Sequence, residues 1–214
     1  MANSESHSLK VSPTSLLEQA SESKYFLLVG SLILFLDNLL VIFYNKNTID
    51  FFNNPSIPSI TMGNIVFFFG IFTFFMAVFF PFARSIISWI IFYIKPSEKK
   101  KNFEYLSLLE QRALKEQNPF LFEWVAEHKK MTRDIVVYRN ISFSFIVLFA
   151  SDLILGFENS SSLTSFLWGF FRSSHGFIKI ILVVIGVVFI FFYITIMAIS
   201  LKSDSDTDYI YFPQ

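Results

Sequence analysis

The chain has no cysteine. Disulfide bonds and cysteine-based metal or redox chemistry are therefore excluded. Charged side chains make up only 16% of 214 residues, and 17 basic residues balance 17 acidic ones, so no net field favours nucleic acid. The three histidines, His7, His128 and His175, are far apart in the chain. HxxxH, a paired-carboxylate motif, a Gly-rich phosphate loop and GxSxG are all missing. Glu123, Glu127 and His128 share one segment but lack metal-site spacing, and they read as a solvated helix face. The expectation is a non-enzyme with no cofactor, no metal, no small-molecule substrate and no direct contact with nucleic acid. Residues 1–24 also lack the basic start, short apolar run and small-residue cleavage site of a signal peptide.

What is abundant is apolar surface. Hydrophobic residues reach 53%, and 30 residues are Phe. Lipid as solvent accounts for such a surplus. The expected fold is all-α and polytopic, with four transmembrane helices and a helical hairpin between spans two and three. Tyr25–Tyr44 is the first span, about 30 Å long as a helix and bounded by Tyr at both ends. The run 62–94 is the second, with a kink expected at Pro81, where the N–H is missing. Residues 140–157 and 177–201 are the third and fourth. The loop 45–61 follows the first span. Before it, Ser12-Pro13 can open a short helix carrying Leu16 and Leu17 along the membrane surface, the alternative being a disordered tail.

Residues 95–139 form the long polar stretch of the middle of the chain and carry ten of the 17 Lys and Arg residues. Phe103, Leu106, Leu109 and Ala113 give a helical period over 98–117. Asn118-Pro119 reads as the N-cap and first position of a second helix, which can run unbroken to about Phe157. Along it, Leu121, Trp124, His128, Met131, Ile135 and Tyr138 recur at spacings of three and four. The exposed part of that stripe, with Lys129 and Lys130, is the candidate partner-binding surface, because an aromatic anchor on a short helix is what interfaces use. Lys99, Lys100 and Lys101 can also meet anionic lipid. Placing both termini and this module in the cytoplasm puts thirteen basic residues inside, against Lys46 and Arg172 in the outer loops. The acidic tail 202–214 ends in Tyr209, Ile210, Tyr211 and Phe212, apolar enough to dock on another element.

Four charges fall inside the spans: Asp37, Arg84, Asp152 and Lys179. Each is costly in hydrocarbon and should face protein or water. Asp37 and Asp152 lie equally deep in spans that run the same way, and Lys179 can approach from the fourth. They form either an ion path or charge-coupled switch, or a structural salt bridge or polar clamp with Asn38 and Ser151 adding hydrogen bonds. The structural reading is preferred. Arg84 is expected to snorkel to lipid phosphates. The segments Leu34–Asn45 and Leu148–Asn159 align without gaps, with an Asp in each, which suggests two related hairpins. In the second outer loop, Leu163–Phe171 is apolar but short. It is expected in the outer interface, with Leu163, Phe166, Leu167, Trp168, Phe170 and Phe171 meeting lipid.

Three functions fit these features: a sensor or scaffold that holds a cytoplasmic effector, an ion channel or pore, and an immunity protein against a membrane-inserting toxin. Outer loops of animal four-helix channels are mostly pinned by disulfides, so the lack of cysteine leans towards a bacterial inner membrane. Four spans, both termini inside, an inner helical module between spans two and three and no cysteine resemble the membrane subunit of the bacterial Kiwa antiphage defence system. Colicin-type immunity proteins share the four spans. The Kiwa resemblance implies a homo-oligomer, with a tetramer favoured, that detects phage-induced membrane disturbance. It also implies a separate cytoplasmic effector as partner.

Overall fold

The computed structural model describes residues 13–53, 61–94, 103–159, 161–201 and 209–211. The fold is all-α apart from one short ribbon, and four of its helices are long and apolar enough to cross a membrane: Ser23–Tyr44, Met62–Ile91, Pro119–Phe157 and Gly176–Ser200. Helix α1 spans Pro13–Tyr44. It starts at a proline, whose missing N–H would be unpaired at that position anyway. The expected amino-terminal helix is therefore continuous with the first span; the side chains of Leu16 and Leu17 lie outside the described residues. The following loop is not wholly irregular, because Thr48–Asn53 forms a short helix, α2. Asn47 starts it, its Oδ1 accepting from the Asp50 N–H at 2.7 Å.

The second span is α3 (Met62–Phe74), a π turn (Phe75–Phe79) and α4 (Phe80–Ile94) in direct succession. The π turn lies just ahead of Pro81, where a kink is expected. Pro81 has no N–H to continue the ladder, and the chain widens before it, so that the N–H of Phe80 reaches Phe75 O.

The described part of the polar module starts with a strand, and residues 98–102 of the expected helix lie outside the described residues. Phe103–Tyr105 (β1) pairs antiparallel with Tyr209–Tyr211 (β2), which ties the carboxyl-terminal tail to the module. This corrects the expected helical position of Phe103: strand pairing with a distant segment overrides the local period. Helix α5 is thus only Leu106–Lys115. Its end is a Schellman turn. Gln117 is left-handed at φ 49°, the Asn118 N–H reaches Ala113 O at 3.1 Å, and the Gln117 N–H reaches Leu114 O at 3.3 Å. Asn118 Oδ1 then accepts the Leu121 N–H at 3.2 Å, and Pro119 opens α6. Leu106, Leu109, Ala113, Leu121 and Val125 form the hairpin core, with Trp124 packed against it.

Helix α6 runs unbroken from Pro119 to Asn159, 41 residues or about 60 Å. It is the hub of the fold. It lies parallel to α1 and antiparallel to α8 (Gly176–Ser200), and it carries the hairpin at one end. At the other end it touches α7, Leu163–Ser173. Gly30 lets α1 and α6 meet closely: a Cβ there would lie 2.8 Å from the ring of Phe145. Leu27, Leu34, Phe35, Phe143, Phe145 and Leu148 fill the seam. Phe35 also meets the rings of Phe68, Phe72 and Phe75 on the second span, and Phe149 meets Phe189 and Tyr193 on α8. The apolar windows of α1 and α6 are 44% and 33% buried, against 6% for each of the other two spans. The second and fourth spans therefore flank a central α1–α6 pair and leave most of their apolar surface uncovered.

Candidate functional site

At the end of the bundle away from the hairpin, two carboxyl groups lie fully buried between α1 and α6. Asp37 Oδ1 accepts from the N–H and the hydroxyl of Thr48, at 2.6 and 2.7 Å. Its Oδ2 accepts the N–H of Leu163 at 2.8 Å. Asp152 Oδ2 accepts the N–H of Thr164 at 3.1 Å, and the Thr164 hydroxyl bonds the Asp152 carbonyl at 3.3 Å. The two carboxyls thus hold consecutive N–H groups of one helix start. Buried anionic groups at a helix amino terminus satisfy its orphan donors and oppose its dipole.

Each aspartate also caps the short helix that follows its own span. Asp37 holds Thr48 at the start of α2, and Asp152 holds Thr164 at the start of α7. The two halves therefore repeat an Asp-to-Thr bridge, in line with the sequence echo. Asp37 alone crosses over, reaching Leu163 in the other half. Asn38 adds a second cross-link, donating from Nδ2 to Leu148 O at 3.1 Å.

Helix α7 is fastened to the α1–α6 pair at its amino end. Ser162, fully buried, caps it by accepting the Ser165 N–H at 3.2 Å. Gly156 on α6 makes room for that cap, since a Cβ there would lie 2.4 Å from Ser162 Oγ. Beyond the first turn the helix stands clear: Phe166, Leu167, Trp168 and Phe170 are exposed, Trp168 at 66%. Phe171 stacks on Trp168 with ring centroids 5.5 Å apart. The apolar outer segment expected from the sequence is thus a helix whose amino end is clamped to the α1–α6 pair.

The expected grouping of Asp37 and Asp152 with Lys179 does not form. Lys179 is exposed and lies over the ring of Phe171, 5.8 Å from its centroid. Among the described residues neither carboxyl is ion-paired. Backbone N–H groups take the place of the cation, and those carry no signature in a sequence. Nor does Arg84 snorkel to lipid. It is 2% exposed, donating from Nε to Asn140 Oδ1 at 2.7 Å and from a terminal nitrogen to Ser200 O at 3.4 Å. It locks α4, α6 and α8 together at the hairpin end, where helix facing, which sequence does not specify, decides its partner.

The proposed partner stripe is largely used internally. Leu121 is buried in the hairpin core, and Trp124 is half-buried against it. The His128 ring sits 4.0 Å from that of Trp124, and its Nδ1 bonds Trp124 O at 2.8 Å. Lys129 pairs with Glu110 of α5. Met131 is half-buried, and Lys130 is exposed. Ile135 of the stripe is exposed, and near the hairpin turn Leu108, Leu114, Phe120 and Phe122 also reach solvent, with Phe120 at 78%. Among the described residues no three His, Asp or Glu side chains gather as metal ligands. Comparison with protein-family models, curated proteins and solved structures gave no match to this chain.

Proposed function

We propose that this chain is a non-enzymatic, oligomeric sensor and scaffold of a bacterial inner membrane, which reads the outer leaflet through α7 and holds a soluble effector on the cytoplasmic hairpin. One observation carries the reading. A single unbroken helix, α6, bears the clamp of an exposed apolar helix at one end and a helical hairpin at the other. A rigid element linking two such sites is what coupling across a bilayer needs. Thirteen basic residues in the sequence of the amino-terminal segment, the central module and the tail support the cytoplasmic placement of the hairpin and of both termini. The nearly bare second and fourth spans supply surface for contacts with lipid and with further copies. The exposed Leu114 and Phe120, either side of the hairpin turn, supply apolar anchors for an effector. The resemblance to the Kiwa membrane subunit favours a tetramer and a setting in antiphage defence. Carboxyls sealed by backbone donors give no support to a conduction path through them.

The test is to extract the tagged protein in mild detergent from cells carrying its native gene neighbourhood and to measure the mass and composition of the complex. A homo-oligomer carrying a stoichiometric soluble neighbour is the expected result. A homo-oligomer alone favours a channel. A monomer, or a complex formed only when a toxin is supplied, favours immunity.

A further inference from the structure

The two aspartates are served unequally. Asp37 accepts three hydrogen bonds, all from N–H or O–H donors. Asp152 accepts one at its side chain, on Oδ2. Its Oδ1 is buried and has no donor among the described residues, while its Oδ2 sits on the N–H next to the one that Asp37 Oδ2 holds. Among the described residues no cation compensates. Lys46 and Asp50 beside α2, Arg172 on α7, and His175 and Lys179 at the start of α8 form neither an ion pair nor a hydrogen bond with either carboxyl, and Asp50 is engaged by Asn47. The Glu158 side chain lies outside the described residues.

Two carboxylates on adjacent donors in a buried site disfavour each other's ionised form. One hydrogen resolves both the orphan oxygen and the repulsion. We propose that Asp37 and Asp152 form a proton-binding site, in which a proton on Asp152 Oδ1 is donated to Asp37 and holds α7 docked. When the proton leaves to water at that membrane face, two charges stand side by side on consecutive N–H groups of the same helix turn. Their repulsion separates the carboxyls, and the amino end of α7 loses one of its two anchors. The device deepens the reading of α7 as the sensing element, while the proton itself is detectable whatever the protein senses.

The test uses the full chain in lipid nanodiscs. Infrared difference spectra across pH are expected to show a protonated-carboxyl C=O stretch that disappears on alkalinisation and is absent in Asp152→Asn. Hydrogen exchange at the Leu163 and Thr164 amides, corrected for its intrinsic pH dependence, is expected to lose protection over the same range. Asp152→Asn should keep that protection at every pH, because its amide donates to Asp37 in place of the proton. No carboxylic band at any pH where the protein is folded overturns the proposal, as does a band that survives in Asp152→Asn. An unaltered pH dependence of exchange in that variant overturns it too. Should the variant not fold, the wild-type band and its titration still decide. Loss of the effector complex, with the band intact, would count against the scaffold reading alone.

Discussion

Arg84 and Asn140 meet at 2.7 Å, guanidinium Nε to amide oxygen, inside a bundle whose core is rich in Phe and Leu. The Ser200 carbonyl takes a second hydrogen of the same group. Arg84→Met keeps much of the stem volume but removes the fork that joins three helices. A hydrogen bond to a charged group contributes about 1.5–3 kcal/mol. The substitution is expected to lower stability in detergent by about that amount, read as a fall in melting temperature. Arg84→Ala should fall further, because it also opens a cavity. A snorkelling arginine would give almost no change in either variant, so the pair of melting curves separates the two roles.

Gly156 gives a second, opposite-signed test. An alanine in a helix interior ordinarily stabilises by roughly 0.5–1 kcal/mol relative to glycine. Here the new methyl would lie 2.4 Å from Ser162 Oγ and 3.3 Å from Thr164 Oγ1. The cap must move, and losing a serine cap costs about 1 kcal/mol before any strain is counted. Gly156→Ala is therefore expected to destabilise the start of α7, measured as faster hydrogen exchange at the Ser165 amide with the rest of α6 unaffected. Slower exchange there would mean that α7 is not seated against Gly156.

The long elements were legible because hydropathy and punctuation act locally. The four spans follow from apolar runs, and α6 is continuous because neither Pro nor Gly interrupts it between Pro119 and Gly156. Asn118-Pro119 marked its start for the same reason. The site was half legible. Asp37 and Asp152 stand out as charges at matched depth, yet their ligands are the N–H groups of Leu163 and Thr164, and backbone donors look alike at every position in a sequence. Lys179 was the nearest visible cation and proved to face Phe171. Likewise, Phe103 has a helical period, and only pairing with Tyr211, more than a hundred residues on, makes it extended.

Asp37 and Asn38 are neighbours in sequence, and both cross to the other half of the bundle, but with different expected weights. Asn38 gives one neutral hydrogen bond to Leu148 O. Such bonds between membrane helices contribute about 0.6 kcal/mol on average, because the unfolded chain in lipid also finds partners. Asp37 accepts three donors, from two segments. Asp37→Ala leaves those donors buried and unmet, at roughly 1–3 kcal/mol for each such group. Asn38→Ala is thus expected to unfold within a degree or two of the wild type, and Asp37→Ala well below it, with α2 and α7 both losing exchange protection. Equal effects in the two variants would show that the carboxylate is not the clamp.

On the hairpin, burial separates folding from docking. Trp124 covers the core of Leu106, Leu109 and Val125, so Trp124→Ala should loosen the hairpin itself. Truncating a buried aromatic costs about 3–5 kcal/mol, and a half-buried one less. Phe120 and Leu114 are 78% and 62% exposed on either side of the turn. Changing both to serine should leave the hairpin's helicity and exchange protection intact, since their contacts within it are few. If they anchor a soluble effector, the same change strips it from the purified complex. An effector lost in Trp124→Ala but kept in the double serine variant would place the docking surface elsewhere, with Lys130 and its exposed neighbours on α6 the next to be changed. An effector lost only in the double variant, with the hairpin still folded, would identify the turn end of the hairpin as the contact.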